Sequence, residues 1–444
     1  MQKAACRILI GLELSHNLPQ PPDPMHPFTA AFLAALIVTT ALRLWLAMRH
    51  VRHVRANRNR VPGEFADRIT PEAHAKAADY TVAKTRIGIV DTLIGVMLLL
   101  AFTLLGGLDA LARAWGGVFE AGGYAHGIAL ILSVMAISSL IDLPFGLYRT
   151  FVIEARFGFN RMTLALYFID MAKQMLIGLA IGVPLIAGVL WLMARMGEYW
   201  WLWVWAGWMA FNLLVLLIYP TLIAPLFNKF SPLENESLRQ RIQALLTKCG
   251  FRSRGLFVMD SSKRSSHGNA YFTGFGAAKR IVLFDTLLTR LTPAEIEAVL
   301  AHELGHFSHR HVLKRMLLLF AASLLFFALL GHLIDAPWFY AALGVQTPST
   351  AMALLLFVMV MPAFTCLLQP LASLYSRSHE YEADAYAAQH ADPRDLVHAL
   401  VKLYQDNAAT LTPDPLHSAF YDSHPPAALR IGRLLALGSP AVAR

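Results

Sequence analysis

Seven stretches of this chain, 28–48, 87–106, 126–147, 176–194, 201–224, 316–334 and 351–375, are each apolar enough and close enough to about 20 residues to cross a bilayer as helix. A chain carrying seven such segments must place them in lipid or in one another. The composition agrees: 56% hydrophobic and 15% charged, against about 45–50% apolar and about 25% charged in ordinary soluble domains. The spans account for part of the 444 residues. The polar stretches 226–315 and 376–444 remain, and together they have the length of a folded domain. Disordered, collagen-like and disulfide-scaffold classes are excluded by this composition, and a porin-type barrel by the absence of ten-residue alternating segments.

A formal charge of +9 invites a polyanion partner, but the placement of the charge argues for topology. Arg49, Arg52, Arg55, Arg58 and Arg60 follow the first span, Arg149, Arg156 and Arg161 the third, and Lys314 with Arg315 precede the sixth, whereas 107–125, 195–200 and 335–350 hold few basic residues. This alternation puts the amino terminus outside, the carboxyl terminus inside, and both polar stretches in the cytoplasm. No nucleic-acid surface is expected. Asp91, Asp142 and Arg43 stand in or near spans, where ionisable residues are functional candidates by default.

Cys6, Cys249 and Cys366 are too few and too scattered for a disulfide framework or a cysteine metal site. Residues 1–27 read as a loose tail, because the apolar run Ile8 to Leu12 is too short for a signal peptide; Met25 is an alternative start. The stretch 49–85 reads as a polar hairpin or short helices, and 148–173 as an interfacial segment. Within 226–315 the spacing predicts a helix over 233–249 stopped by Gly250, strands over 255–259 and 280–284, and between them the glycine-spaced segment 267–276. Thr292-Pro293-Ala294-Glu295 then announces a helix with a capping threonine, a proline at its first position and a glutamate three residues after the cap.

That helix contains His302-Glu303-Leu304-Gly305-His306. Histidines four apart lie above one another on one helical face, and Glu303 projects about 100° away, as a zinc peptidase requires. A catalytic zinc needs a third protein ligand and an open position. The arrangement with a histidine six residues further on is excluded, since that position is Val312. His309 and His311 are spaced to turn away from the ligand face and read as exposed or interfacial. In Ser376 to Asp384, Glu380 is the better candidate, with Asp384 one turn on to hold the other nitrogen of a bound histidine. Glu382 and His379 are its rivals.

These motifs resemble the Ste24-type CAAX prenyl proteases, membrane members of the M48 zinc metallopeptidases. The resemblance rests on Leu143-Pro144-Phe145 with Thr150 to Glu154, on Lys263 to Phe272, on Lys279 to Leu288, on HELGH, on Ser376 to Asp384, and on Ser423-His424-Pro425-Pro426 with Arg430. Val61 to Tyr80 also looks like the family's. It implies a mainly α polytopic protein of seven transmembrane helices enclosing a chamber, with a cytoplasmic gluzincin-type α+β zinc metalloprotease domain. The domain would be built from 226–315 and 376–444, separated by spans over 316–375 and preceded by spans 1–5 over 28–225. It implies one Zn²⁺ per chain on His302, His306 and Glu380, Glu303 as general base, Asp384 behind a ligand, and His424 with Arg430 toward the substrate carbonyl. Residues Asn269, Ala270, Tyr271, Phe272 and Thr273 would bind substrate as an added strand.

The expected reaction is hydrolysis of a peptide bond near the carboxyl terminus of a CAAX-like peptide or protein, prenylated or not. An HtpX-like quality-control protease is the enzymatic alternative, distinguished by about four spans rather than seven. A non-catalytic seven-helix transporter or receptor is the distant one. Short loops and basic patterning suit a bacterial inner membrane, or an endoplasmic reticulum membrane in a eukaryote.

Overall fold

The computed structural model describes residues 25–251, 253, 255–273 and 280–438; residues 1–24 of the expected tail, Cys6 among them, and Gly274, Gly276 and Lys279 lie outside them. Among the described residues seven helices are long and apolar enough to cross a membrane, which matches the seven apolar runs. The first part of the chain is α1 (Pro27–Ala56), α2 (Pro71–Phe102), a short α3 (Gly107–Gly116), α4 (Tyr124–Tyr148), α5 (Leu164–Arg195) and α6 (Trp200–Ile218). Phe32, Leu130, Leu190, Leu330, Phe339, Met352 and Leu356 form the packed centre of the membrane half.

The helices extend further than hydropathy alone suggests. Polar residues continue α1 to Ala56, and α2 starts at Pro71 with Thr70 Oγ1 accepting from the Ala73 N–H at 3.2 Å, so the expected polar hairpin shrinks to 57–70. An arginine-rich turn is still helix-forming, and Thr-Pro-Glu is a start signal as strong as the one before HELGH. After α4 the chain continues as a wider turn over Arg149–Glu154 rather than leaving the helix.

The polar half follows. It begins with β1 (Phe230–Pro232), α7 (Glu236–Lys248), β2 (Gly255–Met259), β3 (Ala270–Thr273), β4 (Arg280–Phe284), α8 (Asp285–Leu288) and α9 (Pro293–Ser308). The sheet order is β1-β2-β4-β3, with β2 and β4 parallel and the other pairs antiparallel, so β3 is an edge. Ile281 and Leu283 of β4, Ile242 and Leu245 of α7, and Leu300 and Leu304 of α9 share one core. Phe65 and Ile69, from the loop before α2, are buried in it and tie the spans to the domain.

The chain then returns to the membrane as α10 (His311–Leu333), α11 (Pro337–Ala341) and α12 (Thr350–Thr365), and comes back as α13 (Gln369–His390), α14 (Pro393–Asp406), α15 (Pro415–Tyr421) and α16 (Ala427–Gly438). Only a tight turn over Cys366–Leu368 separates α12 from α13. The seventh span and the helix bearing Glu380 are thus one nearly continuous rod, and residue 376 lies within it.

The start of α9 is a complete capping box: Thr292 N–H donates to Glu295 Oε2 at 2.7 Å, and Glu295 N–H to Thr292 Oγ1 at 3.4 Å. Lys402 Nζ of α14 meets the same Oε2 at 2.7 Å. Burial raises the Glu295 pKa, but Lys402 and the Thr292 N–H outweigh it and hold the carboxyl below the usual range. The stabilisation is therefore present above the ordinary glutamate pKa and lost as pH falls through the lowered folded value. Glu295→Ala is expected to cost about 2 kcal/mol near neutral pH, from a lost cap and a lost ion pair. Thermal unfolding in detergent should show the difference, which should shrink at acid pH as the wild-type carboxyl protonates.

Candidate metal centre and its surroundings

The α9 helix presents His302 and His306 to α13, which crosses it at close range. The closest point is Gly305. A Cβ there would lie 2.8 Å from the Ala383 Cα and 3.1 Å from the Ala383 carbonyl oxygen, so a side chain at this position would push the helices apart. Ala383 itself is fully buried. With the backbones this close, Glu380 reaches between the two imidazoles. His302 Nε2 is 3.5 Å from Glu380 Oε2, and His306 Nε2 is 3.4 Å from Glu380 Oε1.

These separations have a specific meaning. They are long for charge-assisted hydrogen bonds, which run about 2.7–2.9 Å. Two ligand atoms about 2.0–2.1 Å from a tetrahedral zinc, by contrast, lie about 3.3–3.4 Å apart. One ligand atom from each of the three residues falls within 4.8 Å of the others. Glu380 is 4% exposed, and its Oε2 is buried with no hydrogen-bond partner. A buried carboxylate with one oxygen facing each of two imidazoles fits a divalent cation, and nitrogen–nitrogen–oxygen donors suit zinc.

The groups around this triad are themselves held. His302 Nδ1 is 2.8 Å from Asp384 Oδ1. Arg430 of α16 grips the same carboxylate with two bonds, Nε to Oδ2 at 2.9 Å and Nη2 to Oδ1 at 2.6 Å, and its Nη1 lies 3.5 Å from Glu380 Oε2. Arg430 is 5% exposed. The resemblance aims Arg430 at the substrate carbonyl, whereas two of its three nitrogens are here committed to Asp384. His424 is different: its side chain is 60% exposed, and its Nε2 lies 3.4 Å from Glu380 Oε1. Burial disfavours charge on His302, but Asp384 and Glu380 outweigh it and push the imidazole up to about 9. Burial also pushes the Glu303 carboxyl above the usual range, opposed by His302 and His306.

The triad opens onto a cavity of about 730 Å³ lined by Glu303, Val299, Asn269, Ala270, Tyr80 and His424 among others. Its wall brings together three of the family-like motifs. Tyr80 donates to Glu154 Oε1; Glu154 Oε2 lies 3.6 Å from His267 Nε2; and His267 Nδ1 lies 3.0 Å from Asn407 Oδ1. Phe159 stacks on His267 at 4.5 Å, and the segment around Asn160 pairs with Ser265. The residues leading into β3 are thereby fastened to α2 and to the turn after α4.

Two expectations change. His311 is 1% exposed, not surface, and its Nδ1 lies 2.9 Å from His306 Nδ1. Helical spacing does not reach it, because Arg310 adopts a left-handed conformation (φ 57°, ψ 34°) and a new helix starts at His311. His309 is the exposed one, at 42%. Glu382 and His379, the rival ligands, are not in the triad; Glu382 Oε2 is 2.9 Å from His311 Nε2, and His379 stacks on His311 at 3.9 Å. Gly305 and Glu154 were given no role by spacing. A glycine inside an otherwise strong helix is the signal that marks the first, since it weakens the helix without an evident local reason.

The intramembrane charges are also placed. Asp91 pairs with Arg149, and Arg43 Nε lies 3.3 Å from Cys366 Sγ. Arg43 and Asp91 line a separate cavity of about 350 Å³ between spans, while Asp142 is exposed.

Comparison with known proteins fits this architecture in both halves. Residues 50–229 match the family described as CAAX prenyl protease N-terminal, five membrane helices, and residues 232–437 match peptidase family M48. The chain is 33% identical to a CAAX prenyl protease 1 homolog of Arabidopsis thaliana, over 91% of this chain and 97% of that protein. The chain belongs to the CAAX prenyl protease 1 family. It is 31% identical to CAAX prenyl protease 1 of Saccharomyces cerevisiae, with 86% and 90% covered, and 30% identical to the human homolog, with 91% and 95% covered. The crystal structure of S. mikatae Ste24p superposes with a TM-score of 0.85 at 31% identity, covering 93% of this chain and 99% of that one. The protein is therefore a multi-pass membrane M48 metallopeptidase of the Ste24 type, which decides against both the HtpX-like and the transporter readings.

Gly305→Ala tests the close helix contact. The added methyl meets backbone, which cannot rotate away, so α9 and α13 should separate by a few tenths of an ångström. Zinc content and peptidase activity are expected to fall together while the membrane spans remain folded, as read by metal analysis and by helical circular dichroism. Normal zinc content in this variant would show that the helix contact does not set the site.

Proposed function

We propose that the protein hydrolyses a peptide bond near the carboxyl terminus of CAAX-like peptides or proteins, prenylated ones among them, using one zinc held by His302, His306 and Glu380. The observation that carries this reading is the set of 3.4–3.5 Å separations between Glu380 and the two imidazoles, at the floor of a cavity that begins the edge strand. A zinc held by these three residues would supply a water of pKa near 7 and polarise the substrate carbonyl.

The protein's own residues divide the remaining work. Glu303, beside the triad and lining the cavity, takes the water's proton on its carboxylate and returns it to the leaving amine. Its burial favours this, because a raised carboxyl pKa narrows the gap to the groups with which it exchanges a proton. His424 is the donor available to the developing negative charge on the carbonyl oxygen, a contribution of about 3–4 kcal/mol. Arg430 acts through Asp384, keeping His302 in the tautomer whose Nε2 is free.

Substrate backbone is placed along Asn269, Ala270, Tyr271, Phe272 and Thr273. The open side of β3 leaves N–H and C=O groups for a partner strand, so main-chain bonds supply affinity and alternate side chains supply selectivity. The basic residues after α1 favour a cytoplasmic zinc domain and an external amino terminus, in a bacterial inner membrane or, in a eukaryotic host, the endoplasmic reticulum. The names of the relatives support prenylated proteins as substrates.

Purified protein in detergent is expected to hold one zinc per chain. Glu303→Gln should retain it and lose at least about 1,000-fold in cleavage of a farnesylated CAAX peptide, as removal of a general base implies. Glu380→Ala should lose the metal. Full zinc in that variant would move the third ligand elsewhere, and wild-type turnover in Glu303→Gln would remove the proposed base. An unprenylated peptide run beside the farnesylated one reads the lipid requirement directly.

A further inference from the structure

The two ligand histidines need the same preparation, and the fold supplies it by unequal routes. Each must keep its proton on Nδ1 so that Nε2 is free for the metal. His302 has Asp384 at 2.8 Å for this purpose. His306, one turn further along α9, is beyond the reach of Asp384. Its Nδ1 faces instead the Nδ1 of His311, at 2.9 Å, across the break at Arg310.

Two imidazole nitrogens at that distance require one donor and one acceptor. Glu382 decides which. His311 Nε2 lies 2.9 Å from Glu382 Oε2, and a carboxylate only accepts, so His311 carries its proton on Nε2. His311 Nδ1 is then a lone pair, and the proton between the rings belongs to His306 Nδ1. The opposite arrangement would set a lone pair against a carboxylate. The ring of His311 cannot turn to escape this, because it is 1% exposed and stacked on His379 at 3.9 Å with an 8° interplanar angle.

We propose that Glu382 and His311 are positioning residues acting in series on His306, a carboxylate–histidine pair that fixes the tautomer of the second zinc ligand. This rests on the zinc site proposed above. It also explains why α9 stops where it does. Were the helix to continue through Arg310, His311 would face away from His306 by helical spacing; the left-handed residue folds it back.

Zinc affinity of the purified full chain, measured by competition with a chelator, is the test. His311→Ala should bind zinc about 10–100-fold more loosely, as loss of a ligand's hydrogen-bond partner does elsewhere. Glu382→Ala should be weakened in the same sense. The double variant should be no weaker than His311→Ala, because Glu382 has nothing to act through once His311 is gone. His311→Gln, which can accept from His306 and donate to Glu382, should recover part of the affinity. His309→Ala, on the exposed neighbour, should bind as wild type. Losses that multiply in the double variant, or wild-type affinity in His311→Ala, would overturn the proposal. Should His311→Ala fail to fold, Glu382→Ala decides alone: unchanged affinity there overturns the series arrangement. A wild-type protein that held no zinc would instead bring down the parent reading, so the two failures are distinguishable.

Discussion

The contact between Gly305 and Ala383 is the constraint on which the rest of the centre depends. It lets α9 and α13 approach until backbone touches side-chain space, and only then can a side chain as short as glutamate lie between His302 and His306. Everything else follows from the two helices being locked at that distance. Asp384, one turn along α13 from Glu380, falls beside His302, and Glu382, on the adjoining face, falls within reach of His311. One helix therefore carries the third member of the candidate metal triad and both of the carboxylates proposed to orient the other two. Substituting any larger residue for the glycine would move all three relations at once, which is why helix weakness is tolerated in a segment that otherwise carries strong start signals.

The membrane half is not an anchor attached to this arrangement but its frame. The chain leaves α9 through a two-residue break and enters the sixth span, and it returns from the seventh span into α13 after a single tight turn. The relative position of the two site helices is thus set at one end by packing within the soluble core and at the other by the bilayer-spanning helices that continue them. The edge strand proposed to take substrate is fixed in the same manner. Tyr80 and Glu154, at the ends of two spans, hold His267 immediately before the edge strand, so the strand and the metal centre share a reference in the membrane.

Most of this was legible in residue order because each signal was periodic or local. Spans are read from apolar length, the helix of HELGH from its cap, and Glu380 with Asp384 from four-residue spacing. What escaped depended on departures from periodicity. Helical spacing carried through Arg310 makes His311 exposed or interfacial, but the left-handed backbone of Arg310 breaks the phase, and no side-chain pattern announces an arginine in that conformation. The resemblance alone aims Arg430 at substrate; its partner Asp384 lies 46 residues away in sequence and meets it only in the folded chain. The helix ends were underestimated because hydropathy reports where lipid stops, not where hydrogen bonding does.

A buried carboxylate is normally accounted for by N–H donors, and among the described residues Glu380 Oε2 has no hydrogen-bond partner. The two ligand imidazoles stand at 3.4–3.5 Å from it, separations that suit donors sharing a tetrahedral cation and are long for charge-assisted hydrogen bonds. Arg430 does not make up the deficit, because its two close bonds go to Asp384. A protein without metal would thus hold a desolvated charge at the close crossing of α9 and α13, an arrangement that costs free energy on folding. The deficit disappears when a divalent ion joins the three donors, so the fold and the metal are linked: an ion that binds only the assembled site stabilises the crossing that creates it. On this view the close approach at Gly305, the orienting carboxylates and the break at Arg310 are parts of one solution, which turns two imidazole Nε2 atoms and one carboxylate toward a common point.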